Sequence, residues 1–167
     1  VYQALAGERP ARGMLRAEAA EDGVEGFSRN DYLPEDEFWA LVELSRERAR
    51  KQGIEIVLAV DPQIGSMTGD ERRLKQALFN LISNAIQYTP SGGKIVLGAL
   101  RGEQGVSFFV RDNGIGIPPG EQQRIFERFY RVDDARSREV GGTGLGLSIT
   151  RHLVEAHGGR ITVTSAL

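Results

Sequence analysis

One stretch of apolar residues with helical spacing constrains the fold of this chain more than any other feature. The residues concerned are Leu74, Ala77, Leu78, Leu81, Ile82, Ala85 and Ile86. They recur at i, i+3, i+4 and i+7, so they share one face of a helix. Asp70, or Thr68 in its place, is suited to cap the start of that helix, and a Thr-Pro-Ser-Gly-Gly cluster at 89–93 ends it. The pattern predicts an amphipathic helix that lies on a core.

Helical and extended patterns alternate along the rest of the chain. The predicted elements are a helix at 35–52, strands at 54–60, 94–100 and 106–111, a short helix around 121–129, a helix ending at His157 and a strand from Arg160. The second and third strands are joined by a turn-like segment at 101–105, which is typical of a tight hairpin. Together these elements predict a two-layer α/β sandwich with a mixed sheet.

The first 34 residues carry the weakest pattern. Alanine, glutamate and arginine at 11–21 suit a helix, but glycines at positions 7, 13, 23 and 26 punctuate this part of the chain. We therefore interpret 1–34 as a linker or as the remnant of a preceding helical region, and 35–167 as the folded domain.

Composition narrows the classes of function. The formal net charge is only −2, with both signs interspersed, so the chain offers no basic field to nucleic acid or to an anionic membrane. The absence of cysteine excludes disulfides, thiol nucleophiles and cysteine metal sites. No apolar run approaches the ~20 residues that span a bilayer. A chemistry based on oxygen ligands and backbone groups is compatible with this composition.

Two asparagines stand on the long predicted helix, beside its apolar stripe. Asn80 and Asn84 are one turn apart, so both project from the same flank. An amide oxygen can be a neutral ligand of Mg²⁺, which keeps waters and substrate phosphates as its other ligands. A solvated helix face commonly carries asparagines too, and the pair alone does not decide between these interpretations.

A loop of aspartate, asparagine and glycine at 112–117 follows directly on a predicted strand. Such residues are expected in any hairpin turn. The alternative is that Asp112 accepts a hydrogen bond from the exocyclic amine of adenine, a contact that guanine cannot make. Gly114 and Gly116 would then let the backbone approach the ring closely.

A second glycine-rich loop, at 141–147, runs into the last predicted helix. Glycines before a helix N-terminus can form an anion site, because unpaired N–H groups and the helix dipole point at the ligand. A hinge or a tight packing turn has the same composition. No lysine follows these glycines, and neither loop has a third glycine in the GxGxxG position, so a P-loop and a dinucleotide fingerprint are both excluded.

Between the two glycine loops, Phe126 and Phe129 are spaced as packing residues that anchor the following loop, 132–140. That loop carries Arg136 and Arg138 and could fold over a polyphosphate as a lid, although a solvated charged loop fits equally well. His152 and His157 have no acid–base partner beside them, and His157 before Gly158 suits a helix end. No catalytic side chain is predicted.

Taken together, these segments resemble the catalytic and ATP-binding domain of sensor histidine kinases, in the superfamily that includes gyrase, the Hsp90 chaperones and the MutL repair proteins. The resemblance covers about residue 35 to the C-terminus. It places the family's N box at 80–88, its G1 box at 112–117, its F box at 126–131 and its G2 box at 141–147. It implies a Bergerat-type fold, in which helices cover one face of a mixed, mostly antiparallel sheet.

The resemblance also implies a role for each matching position. Asn84 would coordinate Mg²⁺, and Asn80 would lie near the triphosphate of ATP. The implied adenine-site residues are Tyr88, Asp112, Gly114 and Gly116. The implied phosphate-site residues are Gly142, Thr143, Gly144, Leu145 and Gly146, with Arg136 and Arg138 on the lid.

The chain departs from the family pattern in three places. Gln87 stands where the family often has lysine, a charge that the lid arginines could replace. The family's last strands, beyond 161–163, are absent, so we expect a sheet that is incomplete at one edge. The helical hairpin that dimerises and carries the phosphoacceptor histidine also has no counterpart in these residues.

Three functions remain open at this point. The first is a kinase module that donates the γ-phosphate of Mg·ATP to a histidine outside this chain, and the second is a regulatory pseudokinase module. The third is an ATPase or serine kinase of the same superfamily, whose members usually have glutamate where Asn80 stands. The implied partners are the histidine-bearing dimerisation domain of a homodimeric parent and, indirectly, a response regulator or phosphotransfer protein. A monomeric fragment facing the cytoplasm is expected, whether or not the parent is attached to a membrane.

Overall fold

A mixed sheet with helices on one face forms the described part of the chain. The computed structural model describes residues 13–20, 30–32, 34–102, 105–132 and 143–167. Its elements are β1 (Gly13–Ala20), β2 (Asn30–Tyr32), α1 (Pro34–Lys51), β3 (Glu55–Val60), β4 (Met67–Gly69), α2 (Glu71–Tyr88), β5 (Lys94–Gly102), β6 (Gly105–Asp112), α3 (Gly146–Ala156) and β7 (Arg160–Ser165). Two short 3₁₀ turns, Pro119–Glu121 and Arg124–Phe126, lie between β6 and α3.

The main sheet has the strand order β3-β5-β6-β1-β7 within these residues. Strand β3 runs parallel to β5, and the other three neighbouring pairs are antiparallel. A separate small pair joins β2 to β4. The predicted two-layer α/β fold with a mixed, mostly antiparallel sheet is confirmed.

One face of the sheet is buried under the helices. Alternate residues of β5 and β6 point into a single apolar core shared with α1, α2 and α3, because side chains alternate between the faces of a strand. The inward residues of these two strands are Ile95, Leu97, Ala99, Val106, Phe108 and Val110. Among the described helices, none is long and apolar enough to cross a membrane.

Helix α2 has the form that its sequence predicts. All seven apolar residues of the predicted stripe are buried. The Asp70 side chain caps the N-terminus by accepting a hydrogen bond from the Arg73 N–H at 3.1 Å. The helix ends at Tyr88, before Thr89, whose N–H donates to the Ala85 carbonyl. This helix is therefore a fixed support for any side chain on its polar flank.

The helix predicted at 11–21 is wrong, because residues Gly13–Ala20 form strand β1. This strand pairs with β6 on one side and β7 on the other. Helix preferences amount to roughly a few tenths of a kcal/mol per residue, and two ladders of backbone hydrogen bonds outweigh them. The division of the chain at residue 34 stays a prediction.

The short helix predicted around 121–129 is also replaced, by the two 3₁₀ turns. Pro119 opens the first turn, where its missing N–H costs no hydrogen bond. Glu127 is extended and Phe129 has a φ of +64°, in the left-handed region, so a continuous helix cannot form here. The segment instead makes a bent connection that reaches the start of α3.

Candidate functional site

The two asparagines of α2 differ in their surroundings. Asn80 donates from Nδ2 to the Gly146 carbonyl at 3.2 Å and to Thr150 Oγ1 at 3.3 Å. Asn84 is half-buried, and its side chain makes no hydrogen bond with the described residues. Asn80 therefore joins α2 to the start of α3, while the Asn84 amide remains available at the same end of the interface.

Within the described part of the chain, no side chain caps the N-terminus of α3. Its N-cap residue is Leu145, which cannot accept a hydrogen bond through its side chain. The first N–H groups of a helix have no partner within the helix, and the helix dipole adds partial positive charge there. Gly146 follows at the first helical position, and a Cβ there would meet nothing nearer than Asn80 Cγ at 3.9 Å. This end of α3 has the chemistry of a phosphate site.

Gly144 and Phe129 connect the start of α3 to the preceding bent segment. The Phe129 N–H donates to the Gly144 carbonyl at 3.0 Å, and Gly144 has a φ of +67°. A Cβ at position 144 would lie 2.8 Å from the Phe129 carbonyl carbon. The Phe129 ring is 71% exposed, so its predicted packing role is wrong. The backbone of Phe129, and not its ring, holds the loop.

Asp112 lies at the end of β6, opposite Ile95 of β5. Its Oδ1 accepts a hydrogen bond from the Gly114 N–H at 2.9 Å. Burial raises the pKa of the Asp112 carboxyl group, and the Gly114 hydrogen bond partly opposes this shift. A half-buried carboxylate with one oxygen fixed by the backbone can accept from a ligand through the other.

The loop after Asp112 is held against the end of α2. The Ile115 N–H donates to the Tyr88 carbonyl at 3.2 Å. Gly114 is buried there, and a Cβ would lie 2.5 Å from that same carbonyl oxygen. Gly116 passes the backbone of Ala166 so closely that no side chain fits. These close approaches are to the chain's own backbone, and the predicted approach of Gly114 and Gly116 to an adenine ring stays a prediction.

The remaining predicted site residues are only partly placed. The Tyr88 side chain is 42% exposed at the end of α2. Thr143 is exposed, and Leu145 is half-buried beside the start of α3. Arg136, Arg138 and Gly142, together with most of the predicted lid, lie outside the described residues. The roles assigned to all these positions stay predictions.

His157 makes a contact that sequence reasoning missed. It is the C-cap residue of α3, as its position before glycine suggested. Its Nε2 also accepts a hydrogen bond from the Asp70 N–H at 3.1 Å, and its Nδ1 lies 2.7 Å from the Leu153 carbonyl. Asp70 and His157 are 87 positions apart, and no local pattern signals such a pair.

Comparison with protein families and with known proteins gives a consistent result. The family model described as histidine kinase-, DNA gyrase B-, and HSP90-like ATPase matches residues 69–167. The sensor histidine kinase RppB of Synechocystis sp. is 50% identical over 99 residues, which are 59% of this chain and 22% of that protein. The chain thus spans about a fifth of the length of this relative.

Solved structures of similar shape are also histidine kinases. The catalytic domain of histidine kinase ThkA superposes with a TM-score of 0.70 at 26% identity, over 82% of this chain and 93% of that one. Full-length ShkA in complex with AMPPNP gives a TM-score of 0.68 at 31% identity, over 87% of this chain and 33% of that one. The fold described above is therefore that of histidine kinase catalytic domains.

Proposed function

The chain belongs to the histidine kinase-, DNA gyrase B- and HSP90-like ATPase family, and from this premise we propose that it binds Mg·ATP and donates the γ-phosphate to a histidine outside these residues. One observation carries the proposal. Asn80 is hydrogen-bonded to the first turn of α3, so the flank of α2 that carries Asn84 meets the uncapped N-terminus of a helix. A metal ligand and a phosphate site are thereby adjacent.

The phosphates would bind at the start of α3. Its N-terminal N–H groups supply hydrogen-bond donors without a charged side chain, and the helix dipole favours the anion. Gly146 keeps a Cβ atom away from this surface, and Gly144 lets the loop before α3 pass close to the Phe129 backbone. Gly142, Thr143 and Leu145 belong to the same loop, and the proposed lid with Arg136 and Arg138 would complete the site.

Asn84 is the residue that would hold Mg²⁺. A neutral amide oxygen is a suitable ligand for this ion, and Mg²⁺ commonly retains waters and substrate phosphates around one or two protein ligands. The described residues contain no group of three or more His, Cys, Asp or Glu that could hold a metal ion. The metal would therefore enter with the nucleotide and neutralise the charge on its phosphates.

Adenine would be recognised by Asp112, with Tyr88, Gly114 and Gly116 around the ring. The carboxylate accepts only, so it pairs with the adenine amine and repels the guanine carbonyl at the same position. Because Gly114 already occupies Oδ1, the other oxygen is the one that would face the base. Specificity for ATP over GTP follows from this single contact.

The acceptor histidine would come from another part of the parent protein. His157 is buried with both ring nitrogens in hydrogen-bond contact, so it cannot receive a phosphoryl group without leaving its place. A histidine substrate attacks through a free imidazole lone pair and needs no general base. In this proposal the parent is a homodimer in the cytoplasm or with this domain facing it, and a response regulator or phosphotransfer protein receives the phosphate next.

Calorimetric titration with a non-hydrolysable ATP analogue and Mg²⁺ tests the proposal. Asp112→Ala leaves the adenine amine without an acceptor, which should lower affinity by about ten- to a hundredfold. Asp61→Ala is the matched control, because Asp61 follows β3 and its Oδ1 likewise accepts a backbone N–H two residues on, that of Gln63 at 2.9 Å. Equal affinity of wild type and Asp112→Ala would contradict the assignment.

A further inference from the structure

We propose that His157 is a positioning residue, whose neutral imidazole sets how far α2 is shifted along α3 and so where Asn84 stands relative to the phosphate site. The effect on nucleotide binding rests on the proposed function. The His157 contacts from which we argue do not depend on bound nucleotide. His157 itself lies at the opposite end of α3 from the phosphate site.

The two hydrogen bonds of the ring define its tautomer. The Asp70 N–H is a donor, so Nε2 must accept and carries no proton. The Leu153 carbonyl is an acceptor, so Nδ1 must carry the proton and donate. His157 is only 5% exposed, so water competes little with either contact. The ring thus links the last turn of α3 to the N-cap of α2 as a neutral group with a donor side and an acceptor side.

A second polar contact joins the middle of α2 to the start of α3. Asn80 donates to the Gly146 carbonyl and to Thr150 Oγ1, and Thr150 is fully buried. Position 80 meets the start of α3 and position 70 meets its end, so the helices run antiparallel. The contacts on α2 are ten residues apart, which is about 15 Å along a helix.

Two directional contacts add to what apolar packing does between these helices. The side chains between the helices belong to the apolar core, where the hydrophobic attraction is non-directional, whereas a hydrogen bond fixes both the distance and the direction between its two partners. A single polar contact would still allow α2 to pivot about it. With hydrogen bonds at both ends of α3, α2 can neither slide nor pivot without losing one of them.

The position of Asn84 follows from this arrangement. Asn84 is one turn beyond Asn80, and the phosphate-binding N–H groups open α3. A shift of α2 by about 1 Å would change the distance from the metal ligand to the phosphates. A misplacement of this size can lower the rate of an enzyme by up to about a hundredfold. His157 therefore acts on nucleotide binding through α2, without touching the nucleotide.

Two substitutions separate the two sides of the ring. In His157→Gln, the amide can place its oxygen near the position of Nε2 and accept from the Asp70 N–H. In His157→Asn, the shorter amide can place its nitrogen near Nδ1 and donate to the Leu153 carbonyl, but it does not reach Asp70. A role confined to capping α3 would be restored by Asn, whereas the proposed role is restored by Gln.

The experiment measures affinity for AMPPNP with and without Mg²⁺, and the melting temperature of each variant of this chain. We expect His157→Gln to bind within about threefold of wild type, and His157→Asn to lose about tenfold, mainly in the Mg²⁺-dependent part. Equal affinity of the two variants, or a loss that only follows the melting temperature, would overturn the inference. Absence of binding by the wild type would instead contradict the proposed function.

A measurement on the wild type covers the case in which neither variant folds. Nitrogen-15 NMR of the nucleotide-free chain distinguishes a protonated Nδ1 from a protonated Nε2 on the His157 ring. The structure requires the proton on Nδ1 and an unprotonated Nε2 that accepts the hydrogen bond from the Asp70 N–H. A proton on Nε2 would overturn the inference irrespective of nucleotide binding.

Discussion

The Asp112 end and the α3 end of the candidate site are constructed in different ways. At the Asp112 end, the loop is secured by hydrogen bonds within the chain, from the Gly114 N–H to the carboxylate and from the Ile115 N–H to Tyr88. At the α3 end, no side chain among the described residues caps the helix N-terminus, and Asn80 connects it to α2. The loop at the first end is therefore fixed by hydrogen bonds within the chain, whereas the second end presents the backbone N–H groups of a helix N-terminus.

From this difference we expect the two ends to contribute to different parts of nucleotide binding. A site completed by the chain itself can discriminate between bases, because its geometry does not depend on what binds. If Asn84 is the metal ligand that we propose, the α3 end would gain most of its order from the phosphates and the ion. Substitutions at the Asp112 end should therefore alter recognition, and substitutions at the α3 end should alter the metal-dependent part of binding.

The largest expected effect concerns hydrolysis at the α3 end. The Asn80 amide does not accept a proton near neutral pH, and its Nδ2 is engaged with Gly146 and Thr150. General-base help is worth ~10²–10⁴ in rate, so we expect phosphate release from Mg·ATP far below ~1 s⁻¹. Steady-state phosphate release by the purified chain measures it. Rapid hydrolysis that survives Asn80→Ala but is lost in Asp112→Ala would favour an ATPase.

The next effect is a loss of recognition at the Asp112 end. In Gly114→Ala, the new Cβ would lie 2.5 Å from the Tyr88 carbonyl oxygen and 2.7 Å from Asp112 Oδ1. Displacement of the loop should cost about 1–3 kcal/mol of stability and lower ATP affinity by about tenfold or more. Gly120→Ala is the control, because a Cβ at that exposed glycine meets nothing within 4 Å. Similar affinities for both variants would argue against a rigid base site.

A smaller effect is expected from Asn84→Ala. If Asn84 contributes one of the metal ligands, the substitution should lower affinity for Mg·AMPPNP by about tenfold, comparable to one lost hydrogen bond to a charged group. Affinity for AMPPNP without metal should hardly change. Gln76→Ala on an exposed position of α2 controls for the loss of an amide from this helix. An equal loss with and without Mg²⁺ would remove Asn84 from the metal site.

The parts of this molecule that sequence reasoning predicted are those that local patterns encode. The spacing from Leu74 to Ile86 predicts α2 because burial on one face of a helix requires that period. Asp70 is an N-cap because its short side chain reaches back to the Arg73 N–H. Asp112 and Gly114 likewise form a local turn at the end of a strand, where the Asp112 carboxylate accepts from the N–H two positions further on. Each of these features depends on residues at most a few positions apart.

The parts that it missed depend on contacts between distant segments. Strand β1 exists through its pairing with β6 and β7, while its own composition favours a helix. The link from Asn80 to Gly146 spans 66 positions, and that from Asp70 to His157 spans 87. No spacing rule connects such pairs, since their meeting follows from the tertiary fold. Phe129 is a similar case, because this exposed residue is held through the backbone hydrogen bond of its N–H to the Gly144 carbonyl, 15 positions further along the chain.

The smallest expected effect is a pH-dependent change in the free energy of unfolding, caused by the Asp112 carboxyl group. Burial raises the pKa of Asp112 from 3.8, so the ionised carboxyl group destabilises the folded chain. This cost is fully present above the raised pKa and disappears as the pH falls through it towards 3.8.

Asp112→Asn keeps an oxygen for the Gly114 N–H and removes the charge. The free energy of unfolding of this variant, measured in urea without nucleotide, should therefore exceed that of wild type at neutral pH, with an advantage that shrinks towards about pH 4. An advantage of the same size at every pH would mean that the charge of Asp112 is not what burial disfavours. The Asp112 end would then hold its ionised carboxylate at no cost in the free energy of unfolding, and the two ends of the site would differ even more.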